Sequence, residues 1–219
     1  MSRLDIYRTA LLAADPAVSS DDLCAALARE EPGFADFVVD HGLGPMWHER
    51  TGREEFYASR MQAEALFAMQ EKALIDIDAA LTRAGIDYVV IKGVANRLLL
   101  YDNPAVRACY DIDLLVRPGD RVEAAAALVN AGFEALPESH AISRGLVLSR
   151  ASINIDLHWG LLREGRLKID PTVEMLGRHR QVAEIWVLSS NDTFFTLLVH
   201  PAFAKHLAGW DMGLHRVAD

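Results

Sequence analysis

Asp111-Ile112-Asp113-Leu114-Leu115-Val116-Arg117, stopped by Pro118-Gly119, is the stretch whose reading decides the fold. Its apolar, β-favouring content and the turn pair that follows describe a short strand. Side chains alternate along a strand, so Asp111 and Asp113 point one way while Ile112 and Leu114 enter a core. The two carboxylates then stand about two strand rises apart, roughly 6 to 7 Å. Like charges at that distance repel by only ~1 kcal/mol in water, and several-fold more at a lower effective dielectric. In a cleft a divalent cation is the natural relief, and hard oxygen donors of this kind suit magnesium.

The chain carries its own control. Asp76-Ile77-Asp78 repeats the tripeptide, but within Arg60 to Ala84 the residues Phe67, Leu74, Ile77 and Leu81 recur at helical spacing. On a helix, positions two apart diverge around the axis and cannot clasp one ion. A third carboxylate comes from a second alternating segment, Ile153-Asn154-Ile155-Asp156-Leu157-His158-Trp159. If it pairs with the Asp111 strand, Asp156 completes an oxygen donor set. His158 shares its face by the period of two and reads as a hydrogen-bonded structural histidine.

Composition sets the frame. The chain of 219 residues is 51% hydrophobic, enough for a sizeable core with an appendage. A formal net charge of -9 opposes sequence-indifferent attraction to phosphate backbones and so disfavours a long nucleic acid. Cys24 and Cys109 lie far apart without metal-ligand spacing, so neither a disulfide framework nor a zinc site is indicated, and a reducing cytoplasm is the plain reading. No apolar run approaches the roughly 18 residues that span a bilayer. Glycine-rich dinucleotide and Walker motifs are absent, and no serine or cysteine sits in a nucleophile setting. His200 and His206 lack one-turn spacing, and Trp159, Trp186 and Trp210 read as packing residues.

Residues 1–85 read as a helical N-terminal region, punctuated at Asp21-Asp22, Pro32-Gly33 and a break from Gly42 to Pro45. Its last helix runs from about Glu55 to Ala84, with Gly85 just past the end. Residues 86–160 form the core: a strand at Tyr88 to Ile91, a turn at Lys92-Gly93, and a helix from Val94 to Tyr101. The Asp111 strand follows, then an alanine-rich helix to Asn130 and a short strand within Phe133 to Leu136. Leu146 to Leu148 and Ser152 to His158 make an antiparallel pair. Residues 161–219 are mainly helical, with Thr193 to Leu207 a helix and Val182 to Leu188 either a strand or a helix end. The order describes an α+β fold: a small mixed β-sheet with helices on one face, an N-terminal helical cap and C-terminal helices. The apolar pattern still runs at Val217-Ala218-Asp219, so a further helical portion is expected beyond it.

Ile91-Lys92-Gly93, Leu100-Tyr101 with Arg107, Asp111 to Val116 and Ile155 to Trp159 occur in an order that resembles the nucleotidyltransferase superfamily of DNA polymerase beta. They are most similar to its bacterial uncharacterised nucleotidyltransferase group. The resemblance covers roughly residues 86 to 160. It implies that Asp111, Asp113 and Asp156 hold two magnesium ions, and that Gly93 opens a helix facing nucleotide phosphates, with Lys92 adding charge. Arg107 either neutralises phosphate or pairs with Asp102. The wider superfamily places a serine after the glycine, where this chain has Val94, and its interval from glycine to aspartate is shorter.

The expected activity is magnesium-dependent transfer of a nucleoside monophosphate from a nucleoside triphosphate, ATP among them, with pyrophosphate release and Asp156 as general base. The expected acceptor is a small molecule or a protein side chain. The rival reading is a non-catalytic nucleotide- or partner-binding module, antitoxin-like, on the same fold. Three retained, mutually repelling carboxylates weigh against it. Oligomeric state and base preference have no signature in the sequence.

Overall fold

The computed structural model describes residues 3–30, 32–136, 145–162, 164–204 and 214–219. His206, Trp210 and the last three residues of the helix expected over Thr193 to Leu207 lie outside the described residues. No helix among the described residues is long and apolar enough to cross a membrane.

The chain forms two units, the first comprising Met1–Phe67, Leu100–Ala108 and Trp210–Asp219. It holds α1 (Arg3–Leu11), α2 (Ser20–Leu27), α3 (Phe34–Asp40), α4 (Gly44–Thr51) and the start of α5 (Tyr57–Arg83). Pro45 falls in the first turn of α4, where its missing N–H has no helical partner to lose, so the expected break doubles as a helix start. Trp47 centres the core: its Nε1 donates to Ala10 O at 2.9 Å and its ring meets Phe34 edge-on. Leu23, Val38, Leu43, Phe56, Val106 and Leu214 pack around it.

The second unit, Ala68–Leu99 with Cys109–Gly209, holds the sheet. Its strands are β1 (Tyr88–Ile91), β2 (Asp111–Val116), β3 (Glu134–Ala135), β4 (Gly145–Arg150), β5 (Ile153–His158), β6 (Arg180–Val182) and β7 (Ile185–Val187). Their order is β3-β4-β5-β2-β1-β7-β6, with β2–β5 and β1–β7 parallel and the remaining pairs antiparallel. The helices here are the rest of α5, then α6 (Lys92–Leu100), α7 (Arg121–Asn130), α8 (Thr172–Leu176) and α9 (Ser190–Ala204). The segment Val182 to Leu188 resolves into a hairpin whose two-residue turn places Ala183 and Glu184 at φ 47° and 66°.

Register sorts the two faces of the sheet. Val89 and Ile91 on β1 oppose Leu115 and Asp113 on β2, so these residues share a face with Asp111. Part of that face is a core of Val89, Ile91, Leu115, Leu161, Leu162, Met175, Leu176 and Leu188. The other face carries Tyr88, Ile112 and Leu114. There the Tyr88 hydroxyl donates to Asp78 of α5 at 2.8 Å, and Arg150 donates to Asp76 of α5 and to Ala131 O past α7. The helical copy of the tripeptide thus sends its two carboxylates to different partners, as its helical spacing requires.

Helix α9 starts with an N-cap at Ser189. Ser189 Oγ accepts from Asp192 N at 3.3 Å, and Asp192 in turn accepts from Ser189 Oγ and from Arg178 at 2.7 and 2.9 Å. Burial alone would raise the Asp192 carboxyl, but these hydrogen bonds and the Arg178 charge outweigh it and hold it below its ordinary value. A carboxyl depressed by folding stabilises fully above the unfolded value of about 3.9 and progressively less as pH falls through the folded one. Asp192→Ala is therefore expected to cost about 1 kcal/mol at neutral pH, with the deficit vanishing in acid, as followed by urea unfolding.

Candidate active site

Two adjacent parallel strands bring the acidic residues together. On β2 and β5 the Cα partners are Asp111 with Asn154, Asp113 with Asp156 and Leu115 with His158. Parallel partners share a face, so Asp111, Asp113, Asp156, Asn154 and His158 all project from one side of the sheet. Apolar neighbours enforce this: Ile112, Leu114, Ile155 and Leu157 are fully buried on the opposite side. A one-residue slip would turn the carboxylates into the packed apolar face and put four aliphatic side chains in their place, which pins the register.

Asp113 is the innermost acid, 4% exposed. Its Oδ1 accepts from Lys92 Nζ at 2.5 Å and lies 2.9 Å from His158 Nε2, while Nζ lies 3.1 Å from the same nitrogen. In one neutral tautomer Nε2 either donates to Asp113 or accepts from Lys92, not both. Burial would raise the Asp113 carboxyl, but the Lys92 ammonium and the His158 hydrogen bond prevail and hold it far below the usual carboxylate range. Asp111 goes the other way. Burial, then the charges of Asp113 and Asp156, push it up against a smaller opposing pull from Lys92 and a backbone hydrogen bond.

Lys92 reaches this position through an uncommon backbone. Ile91 is the Cα partner of Asp113, and α6 begins at the next residue, so its first turn starts beside the carboxylates. The left-handed position in the Lys92-Gly93 turn is Lys92 itself, at φ 56°. For a side chain with a β-carbon such a conformation costs on the order of 1 kcal/mol. Gly93 is the second residue of α6.

Behind the site a buried network spans three elements. Arg97 Nη1 on α6 donates to Gln70 Oε1 on α5 at 2.7 Å, and Gln70 Nε2 donates to Cys109 O at 3.1 Å. Cys109 Sγ donates to Asp111 O, two residues on. These contacts hold the chain just before Asp111.

Of the expected site residues, Asp111, Asp113, Asp156 and Lys92 gather in one place, with Gly93 adjoining through α6. Arg107 belongs to the first unit, where it is 5% exposed. Its guanidinium donates to Asp219 Oδ1 and Oδ2 at 3.0 and 2.5 Å and to Ala108 O at 2.8 Å. His158, expected as a hydrogen-bonded histidine on the face of Asp156, takes that place with Asp113 as its partner, which the sequence did not name. One ligand atom each from Asp113, Asp156 and His158 lies within 4.8 Å of the others. The donor chemistry fits a divalent cation: repelling carboxylates on one face, one of them raised by burial and then by its acidic neighbours, around a site that already attracts a lysine ammonium.

A protein family described as uncharacterised nucleotidyltransferase matches residues 40–219. None of the curated proteins matches the sequence. Among solved structures, a solution structure of the antibiotic-resistance factor ANT(2'')-Ia aligns with 69% of this chain and 82% of its own, at 15% identity and a TM-score of 0.48. A crystal structure of ANT(2'')-Ia in complex with adenylyl-2''-tobramycin aligns with 68% of this chain and 90% of its own, at 16% identity and a TM-score of 0.41. Similarities of this strength carry nothing about what the present chain acts on.

Proposed function

The chain belongs to the uncharacterised nucleotidyltransferase family, and from that premise we propose that it moves a nucleoside monophosphate from a nucleoside triphosphate, ATP among them, to a hydroxyl-bearing small molecule, releasing pyrophosphate. The observation that carries the reading is the in-register pairing of Asp113 with Asp156, with Asp111 on the same face and α6 opening alongside. Asp111, Asp113 and Asp156 would hold two magnesium ions, which when bound supply positive charge to the triphosphate and acidify the acceptor.

The acceptor oxygen attacks the α-phosphorus, the bond to the β-phosphate bridging oxygen breaks, and pyrophosphate leaves with the electron pair. Asp156, on the more open strand of the pair, takes the acceptor proton. Lys92 gives its ammonium to phosphate oxygens, and the N–H groups in the first turn of α6 meet the same anion. Arg107 has no part in this scheme, because its guanidinium is engaged by Asp219. The acidic balance and a chain with only two cysteines, far apart in sequence, fit a small acceptor and a cytoplasmic setting.

The test incubates the protein with magnesium and each labelled nucleoside triphosphate over an acceptor library, reading labelled product and pyrophosphate. Acceptor-dependent release is expected, lowered at least roughly a hundredfold in Asp111→Asn. Wild-type transfer by that variant would dispose of the assignment. Magnesium-dependent nucleotide binding without turnover on any acceptor would favour the non-catalytic module instead.

A further inference from the structure

Three carboxylates make an all-oxygen donor set, yet the trio that converges most closely includes a nitrogen. Asp113, Asp156 and His158 each bring a ligand atom within 4.8 Å of the others. His158 Nε2 and Asp113 Oδ1 are 2.9 Å apart. Two ligands at right angles on one ion, each at about 2.1 Å, are separated by roughly 3.0 Å, so this pair already has the spacing of neighbouring ligands. Gly145, the Cα partner of His158 on β4, leaves room for the ring: a β-carbon there would come 3.2 Å from Nδ1. The Lys92 ammonium, within hydrogen-bond distance of both Asp113 Oδ1 and His158 Nε2, shows that the space between them attracts a cation.

We infer that the ion shared by Asp113 and Asp156 takes His158 Nε2 as a third protein ligand, and that this position selects manganese-class divalent ions over magnesium. The inference rests on the transferase reading for the presence of an ion, and on donor chemistry for its identity. Magnesium holds its water and accepts imidazole poorly, whereas affinity for mixed nitrogen and oxygen sites rises along the first-row metals from manganese onward. The position nearer Asp111 keeps oxygen donors only. An ion bound there would compete with the Lys92 ammonium for Asp113 Oδ1, which Lys92 now contacts at 2.5 Å.

Wild-type protein and His158→Gln are titrated with Mn2+ without nucleotide, following free Mn2+ by electron paramagnetic resonance with Mg2+ as competitor. The bound samples are then examined for electron spin echo modulation by 14N. The wild type is expected to show imidazole nitrogen modulation and to prefer Mn2+. In His158→Gln the modulation is expected to vanish and the Mn2+ over Mg2+ preference to fall by about tenfold or more. Oxygen-only coordination in the wild type, or a preference unchanged by the substitution, overturns the inference. Should His158→Gln fail to fold, His158→Asn serves the same comparison. Nitrogen-coordinated Mn2+ with no pyrophosphate release on any acceptor would leave the ligand assignment standing and remove the transferase reading. Turnover with oxygen-only coordination would do the reverse.

Discussion

Asp113→Asn is expected to lower nucleotide transfer by about a thousandfold or more, roughly 4 kcal/mol of transition-state stabilisation, while the protein stays folded. The carboxylate sits at the middle of the site: Lys92 and His158 contact its Oδ1, and after burial its charge is the largest influence raising Asp111. An amide keeps the shape and loses the negative charge that any metal ion here requires. Stability changes less than activity because two effects oppose. The ion pair with Lys92 is lost, but so is the repulsion of Asp113 on its two acidic neighbours. Single-turnover transfer and thermal melting on the same preparation separate the two quantities. Transfer within tenfold of wild type would remove Asp113 from the chemistry.

Arg97→Met is expected to produce the largest loss of stability among the substitutions considered, roughly 2 to 3 kcal/mol, because a buried hydrogen bond from a charged donor disappears and Gln70 Oε1 loses that partner. Arg97 is 2% exposed and Gln70 fully buried. Methionine fills much of the volume but offers no donor. In a chain of this size the loss corresponds to a fall of about 4 to 12 °C in melting temperature. Gln70 also holds Cys109 O, just before Asp111, so transfer should fall with stability. An unchanged melting temperature would show that the network contributes little.

Much of the site was legible because it depends on a period of two. Alternation in Asp111 to Val116 and in Ile153 to His158 put each carboxylate on a definite face, and burial of Ile112, Leu114, Ile155 and Leu157 leaves one register. The same logic separated the helical copy at Asp76 and Asp78, whose carboxylates do part company. What was not legible lies in backbone conformation and long-range pairing. The β6–β7 hairpin turns on Ala183 and Glu184 with positive φ, residues that carry none of the Asn-Gly signal such turns normally show. Lys92 rather than Gly93 takes the left-handed position for a comparable reason: the ion pair with Asp113, invisible in the chain, accompanies the strained backbone. Arg107 is engaged by Asp219, 112 residues away, a partner that no local pattern announces. His158 was in view by spacing, but its place beside Asp113 depends on β5 lying parallel to β2, which alternation alone does not state.

The central claim is that the carboxylates of β2 and β5 jointly hold the divalent ions that receive a nucleoside triphosphate. Crystals grown with Mn2+ and a non-hydrolysable triphosphate, measured at the manganese absorption edge, test it most directly. The account predicts anomalous peaks at coordination distance from Asp113 and Asp156 and beside Asp111, with phosphate oxygens on the same ions and the first turn of α6 against the triphosphate. A bound nucleotide with its metal on any other surface, leaving Lys92 paired to Asp113, would contradict it.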